Sequence, residues 1–170
     1  MLNISNSLSI LRIFLIIPMS IALINENLLL ALFIAILAYT SDLLDGYFAR
    51  KLNQVTELGK MLDPLADKLL LAAVVIILLF QSKIPLWFGI VLIGRDLLII
   101  IGGLIVKNKI KYVPSSNIIG KLTIAIIGVT IVGIVFKIPY FDIYGPIIST
   151  IFVFISLLVY FLNSIKKVKN

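Results

Sequence analysis

The sequence predicts an all-α fold, a polytopic membrane protein with six transmembrane helices, and three observations carry that expectation. Of its 170 residues, 61% are hydrophobic and only 14% charged, too little polar surface to clothe a soluble globule. Mean hydropathy is +1.18. Apolar runs of about 20 residues, long enough to cross a hydrocarbon core of ~30 Å, recur along the chain and are separated by short polar breaks.

The first run, Leu8 to Ile24, is too long for the core of a signal peptide and lacks a small-residue cleavage site. It reads as a permanent span, with Pro18 marking a kink or an interfacial segment ahead of its straight part. Asn25-Glu26-Asn27 closes it, and a second span runs from Leu28 to Ala49. The charged link Arg50 to Glu57 then leads into a third span, Leu58 to Phe80. After Gln81 to Pro85 comes the fourth, Leu86 to Val106, and after Lys107 to Pro114 the fifth, Ile118 to Phe136. Lys137 to Tyr144 precedes the sixth, Gly145 to Leu162. Such short links make consecutive helices antiparallel and return the C-terminus to the side of the N-terminus. No repeat or soluble domain interrupts the pattern, so residues 1–170 read as a single membrane domain.

Charge sets the orientation. If Asn25–Asn27, Gln81–Pro85 and Lys137–Tyr144 face outward, that side holds Lys83 and Lys137 against Glu26 and Asp142. Lys51, Lys107, Lys109, Lys111, Lys166, Lys167 and Lys169 fall on the other side, which the positive-inside rule assigns to the cytoplasm. Both termini are then cytoplasmic, in the cell membrane. The net charge of +7 reads as topology and attraction to anionic lipid headgroups and does not argue for nucleic acid. Cysteine and histidine are both absent, which removes disulfides, thiolate nucleophiles, the usual general base and the nitrogen and sulfur metal ligands. Acid, base and metal chemistry must fall to carboxylates, lysines and hydroxyls.

Four aspartates, Asp42, Asp45, Asp63 and Asp67, therefore stand out in so apolar a chain, because each is costly to place near lipid. Helical rise puts Asp42 and Asp45 ~21 and ~26 Å from Leu28, and Asp67 and Asp63 ~20 and ~26 Å from Phe80. The two pairs share one level, in the cytoplasmic third of the membrane. Spacings of three and four place each pair on one helical face, with Ala49 extending the first face and Gly59 the second. Four converging carboxylates repel one another unless protons or cations neutralise them, and all-oxygen ligands suit Mg²⁺ or Mn²⁺, one or two ions, over zinc. Gly46, Ala49 and Gly59 are small where a diphosphate, or a second helix backbone, needs room.

The run Asp42-x-x-Asp45-Gly46-x-x-Ala49-Arg50, then eight residues, then Gly59-x-x-x-Asp63-x-x-x-Asp67, resembles the complete signature of the CDP-alcohol phosphatidyltransferase family. Asn6-x-x-Ser9-x-x-Arg12 is similar to an N-terminal segment of bacterial members, which usually have threonine where Ser9 stands. The resemblance implies a six-helix enzyme that takes CDP-diacylglycerol, transfers its phosphatidyl group to an alcohol and releases CMP. It further implies that Asp42, Asp45 and Asp63 bind metal and that Asp67 shares a metal and acts as general base. Gly46, Arg50 and Thr56 would hold the CDP moiety, with the segment from Asn6 to Ser9 closing over it. Arg50 also suits an anchor at the cytoplasmic face.

The acceptor depends on two deep cations, Arg95 in mid-span and Lys121, ~23 Å from Phe136 and so level with the aspartates. A phosphorylated alcohol would give both a partner. Arg95 alternatively pairs with an acid, Asp96 or a carboxylate of the cluster, with a partner on another helix favoured because sequence neighbours point in different directions, and Lys121 alternatively snorkels to the interface. Arg95-Asp96 and Gly120-Lys121 resemble the phosphatidylglycerophosphate synthase branch, where Arg-Glu is more usual, and so imply sn-glycerol 3-phosphate as acceptor. Phosphatidylglycerol, inositol phosphate and serine are the alternatives within the family. An intramembrane prenyltransferase also pairs aspartate motifs around a diphosphate, but with more spans and widely separated motifs. A cation transporter leaves Gly46, Ala49, Arg50 and Gly59 unexplained. Gly89, Gly94, Gly102 and Gly103 on the fourth span offer a close-packing surface for a possible homodimer.

Overall fold

The computed structural model describes the backbone of residues 4–51, 57–110 and 118–169 and the side chains of 7–44, 65–102 and 118–163. Among the described residues there are six helices and no strand: α1 Ile4–Ile24, α2 Leu28–Lys51, α3 Glu57–Phe80, α4 Leu86–Ile110, α5 Ile118–Val135 and α6 Phe141–Lys169. They fall into two compact units, Met1–Leu78 and Leu79–Asn170.

In the first unit α1 packs on α2. The face α2 buries is Ala31, Ile34, Ala38 and Ser41, a helical stripe of mostly small side chains that lets the two backbones approach. Asp42, one turn after Ala38, continues that stripe, so the periodicity that packs α2 also carries this acid toward α1. The opposite face of α1 is apolar and open: Phe14, Ile17, Ile21 and Ile24 are each more than half exposed, while Ser9 and Arg12 are buried. A soluble helix has the reverse arrangement, and a lipid-facing one has this.

The second unit repeats the inversion. On α6, Ile151, Phe154 and Leu158 are exposed, whereas Gly145, Ser149, Val153 and Ser156 form a buried stripe against α5. Thr130 on α5 lies 2.9 Å from the Ser149 hydroxyl, and Thr123 donates to the backbone carbonyls of Ile119 at 2.8 Å and Phe152 at 3.2 Å. The bonds to Ser149 and Phe152 join α5 to α6 where the apolar driving force between helices is weak. Ser7–Ile24, Ile118–Val135 and Phe141–Asn163 are each long and apolar enough to cross a membrane, and Leu28–Leu44 is a shorter apolar helix. The chain is a membrane protein.

Most helix boundaries fall within about four residues of the expected ones, while α6 continues past the expected Leu162 to Lys169. α1 runs without interruption through Pro18, whose missing N–H leaves one carbonyl to be satisfied elsewhere. α6 begins at Phe141 instead of Gly145, with Asp142 in its first turn where an acid complements the helix dipole. α1 and α5 close on Glu26 and Lys137, both in the left-handed region at φ 53° and 55°. Each is followed by a residue whose N–H reaches back five positions, Asn27 to Ala22 at 2.9 Å and Ile138 to Gly133 at 2.8 Å, the Schellman geometry usually built on glycine. Asn27 then caps α2 by accepting from the Leu30 N–H at 3.2 Å.

The glycines of α4 are spent partly inside the chain. A Cβ at Gly89 would meet Leu79, one at Gly102 would come within 3.2 Å of the Tyr160 ring, and Gly94 faces open space. Gly103 lies outside the residues whose side chains are described. The tightest approach is at Gly133, where an added Cβ would run into the Phe141 ring at the start of α6. Gly133→Ala is therefore expected to cost about 1–3 kcal/mol and lower the melting temperature in detergent. Gly128→Ala, on the same helix with nothing within 4 Å, is the control and should leave stability equal or raise it by up to about 1 kcal/mol. An unchanged melting temperature in Gly133→Ala would mean that the ring moves aside freely.

Candidate active site

Arg12 gathers the acids. Its side chain is 1% exposed, and one nitrogen, Nη1, lies 3.1 Å from Asp42 Oδ1 and 2.5 Å from Asp67 Oδ1. Three helices thus converge on one point: α1 supplies the cation, α2 and α3 one carboxylate each. The two oxygens can be no farther apart than the sum of those distances. A buried guanidinium without acids would be severely destabilising, and two carboxylates this close without a cation would repel one another. Each explains the other.

The carboxylates have an open side as well. Asp42 and Asp67 side chains are 42% and 51% exposed, so the guanidinium is sealed on one side of them while the other is accessible. Converging hard oxygen donors that already accommodate one positive group fit a divalent cation such as Mg²⁺ or Mn²⁺. Among the described residues no three potential ligands stand together, and the side chains of Asp45 and Asp63 lie outside the described set. So do those of Asn6, Gly46, Ala49, Arg50 and Gly59, and Thr56 lies outside it altogether. Ser9, one turn before Arg12 on the same face of α1, is fully buried.

Arg95 and Lys121 belong to the second unit. Arg95 extends the buried stripe Phe88 and Leu92, and its Nη1 lies 2.6 Å from Asp96 Oδ1. The expectation that its acid partner sits on another helix is thus corrected. Neighbouring residues on a helix diverge at Cβ, but the length of an arginine side chain lets its far end return to the acid beside it. Arg95 Nε is buried with no hydrogen-bond partner among the described residues. Lys121 is exposed. Two clefts in this unit, between the α3–α4 turn and the start of α6, share Lys83 and Asp142, whose opposite charges give no ligand a clear sign to follow.

Arg12 is the residue whose role sequence reasoning missed. The signal was present: an arginine inside the first apolar run, three residues after Ser9 on the same side of the helix, must find an acid. Asp42 of α2 lies on the stripe facing it.

A family model described as CDP-alcohol phosphatidyltransferase matches residues 2–162. A CDP-diacylglycerol–glycerol-3-phosphate 3-phosphatidyltransferase of Aquifex aeolicus is 38% identical over 136 residues, 78% of this chain and 75% of the relative. One of the same name from Rickettsia felis is 34% identical over 169 residues, 92% of this chain and 90% of the relative. A CMP-forming cardiolipin synthase of Streptomyces coelicolor is 35% identical over 91 residues, 54% of this chain and 42% of the relative.

Proposed function

The chain belongs to the CDP-alcohol phosphatidyltransferase family and is a membrane transferase of phospholipid synthesis; from that premise we propose that it moves the phosphatidyl group of CDP-diacylglycerol to sn-glycerol 3-phosphate. The observation that carries the reading is the meeting of Asp42 and Asp67 at Arg12, which supports a single acidic site built from both halves of the signature. Positive-inside charge supports an active site open to the cytoplasm.

In the proposed reaction the acceptor hydroxyl oxygen bonds to the phosphorus that carries diacylglycerol. The bond from that phosphorus to the oxygen bridging it to CMP breaks, the electron pair leaves with CMP, and Asp67 takes the hydroxyl proton. A base is needed because an alcohol is a poor nucleophile at neutral pH. Asp42, Asp45, Asp63 and Asp67 would hold two divalent ions, which when bound neutralise the diphosphate and the charge growing on CMP. Gly46, Arg50 and Thr56 bind the CDP moiety, Ala49 and Gly59 leave room for it, and the segment holding Asn6 and Ser9 covers it. With Ser9 buried, that cover acts through the backbone and Asn6 more than through the Ser9 hydroxyl.

Arg95 and Lys121 bind the acceptor phosphate. A guanidinium has donors beyond the one Arg95 gives to Asp96, and a buried Nε without a partner favours an anionic ligand nearby. The names of the Aquifex and Rickettsia relatives, which match most of this chain, support glycerol 3-phosphate. Purified enzyme given CDP-diacylglycerol with sn-glycerol 3-phosphate, phosphatidylglycerol, inositol phosphate or serine is expected to form product with the first. Product with serine or phosphatidylglycerol alone would overturn the acceptor assignment.

A further inference from the structure

We propose that Arg12 is a built-in counter-ion of the aspartate cluster, a positioning residue that keeps Asp42 and Asp67 together when no metal is bound and stays in place when metal arrives. The inference rests on the reading of those aspartates as metal ligands, but it concerns a residue that neither the metal reading nor the transfer step uses. Two observations carry it. A single nitrogen of Arg12 contacts one oxygen of each carboxylate, so the two helices α2 and α3 are tied through one positive charge carried by a third. That charge is sealed at 1% exposure, whereas the carboxylates are 42% and 51% exposed, so cations and diphosphate approach from the side away from it.

A cation at this position has two consequences of opposite sign. It removes the repulsion that would otherwise push α2 and α3 apart in the metal-free enzyme, so the ligands wait in place for the ion. It also opposes the incoming dication, so the metal is held less tightly than four uncompensated carboxylates would hold it. A site that must bind a substrate's diphosphate with its ions, then release CMP, benefits from both. An ammonium on a flexible stem supplies the same charge as a guanidinium, without its planar fork. Lysine, one atom shorter, should therefore replace Arg12 in part.

The test is thermal unfolding of the full-length detergent-solubilised protein, without substrate, in chelator and in saturating Mn²⁺. Wild type should gain stability with Mn²⁺, and Arg12→Met, which keeps bulk but loses charge, should start lower in chelator and gain more, by roughly 5 °C or above. Arg12→Lys should fall between them. Adding Asp67→Asn to Arg12→Met removes one of the repelling charges and should recover part of the loss in chelator. A deficit in Arg12→Met that is equal with and without Mn²⁺, or Arg12→Lys no better than Arg12→Met, would overturn the proposal in favour of simple packing. If Arg12→Met can be purified only in Mn²⁺, the proposal is supported; if it folds in neither condition, it is overturned. Failure of wild type itself to respond to Mn²⁺ would sink the metal reading along with it, which separates that failure from one confined to Arg12.

Discussion

Asp67→Asn is expected to lower the rate of CMP release by roughly 10²–10⁴-fold while CDP-lipid binding stays near that of the wild type. The substitution keeps the shape of the side chain and removes the carboxylate proposed to take a proton from the acceptor hydroxyl. Asp42→Asn should instead weaken metal-dependent CDP-lipid binding as well as turnover, since its proposed duty is to hold the ion. The geometry makes the comparison fair. Both carboxylates share the same Arg12 nitrogen, so either substitution removes one of these two contacts and keeps the other, and differences between the variants report their chemistry more than their folding. Equal loss of binding in the two would contradict separate roles. Groups that act as a unit are not additive, so the double variant should lose little more than the worse single one.

Removing divalent metal is expected to suppress phosphatidyl transfer by at least ~10²-fold, with recovery on adding Mg²⁺ or Mn²⁺. The reasoning is one of charge. A diphosphate cannot approach a group of carboxylates unless cations stand between them, and Arg12 supplies only one charge, already shared by two acids. The chain has no histidine or cysteine, so no nitrogen or sulfur ligand draws the site toward zinc. Transfer that persists undiminished in chelator would contradict a metal-dependent site.

Much of the fold was legible because a helix in lipid must satisfy its backbone internally and present an apolar surface, two demands that leave plain marks in the sequence. The breaks at Asn25–Asn27 and Gln81–Pro85 fall where the helices end. What was not legible depends on side chains meeting across space. The early start of α6 follows from Asp142 at its first turn and from Phe141 seated over Gly133, a contact between helices that no local pattern announces. Glu26 and Lys137 occupy left-handed positions that glycine usually takes, so composition gave no warning of those turns.

The candidate site divides in the same way. That Asp42 and Asp67 lie on packing faces follows from helical spacing, and the structure brings those two side chains to one point. That a buried arginine from α1 draws them together does not follow from spacing, since Arg12 sits a full span away from Asp42 and two from Asp67. The pairing of Arg95 with its neighbour Asp96 shows the converse limit: Cβ directions alone misjudge a side chain as long as arginine.

The central claim is that one aspartate-lined site joins CDP-diacylglycerol and sn-glycerol 3-phosphate with loss of CMP. Purified enzyme supplied with CDP-diacylglycerol and labelled glycerol 3-phosphate in Mg²⁺ tests it most directly, by counting CMP released and label entering lipid. The expected result is one CMP for each labelled lipid, with neither formed when acceptor or metal is withheld or when Asp67 is replaced by Asn. CMP released at the same rate without glycerol 3-phosphate, or label that never enters lipid, would contradict it.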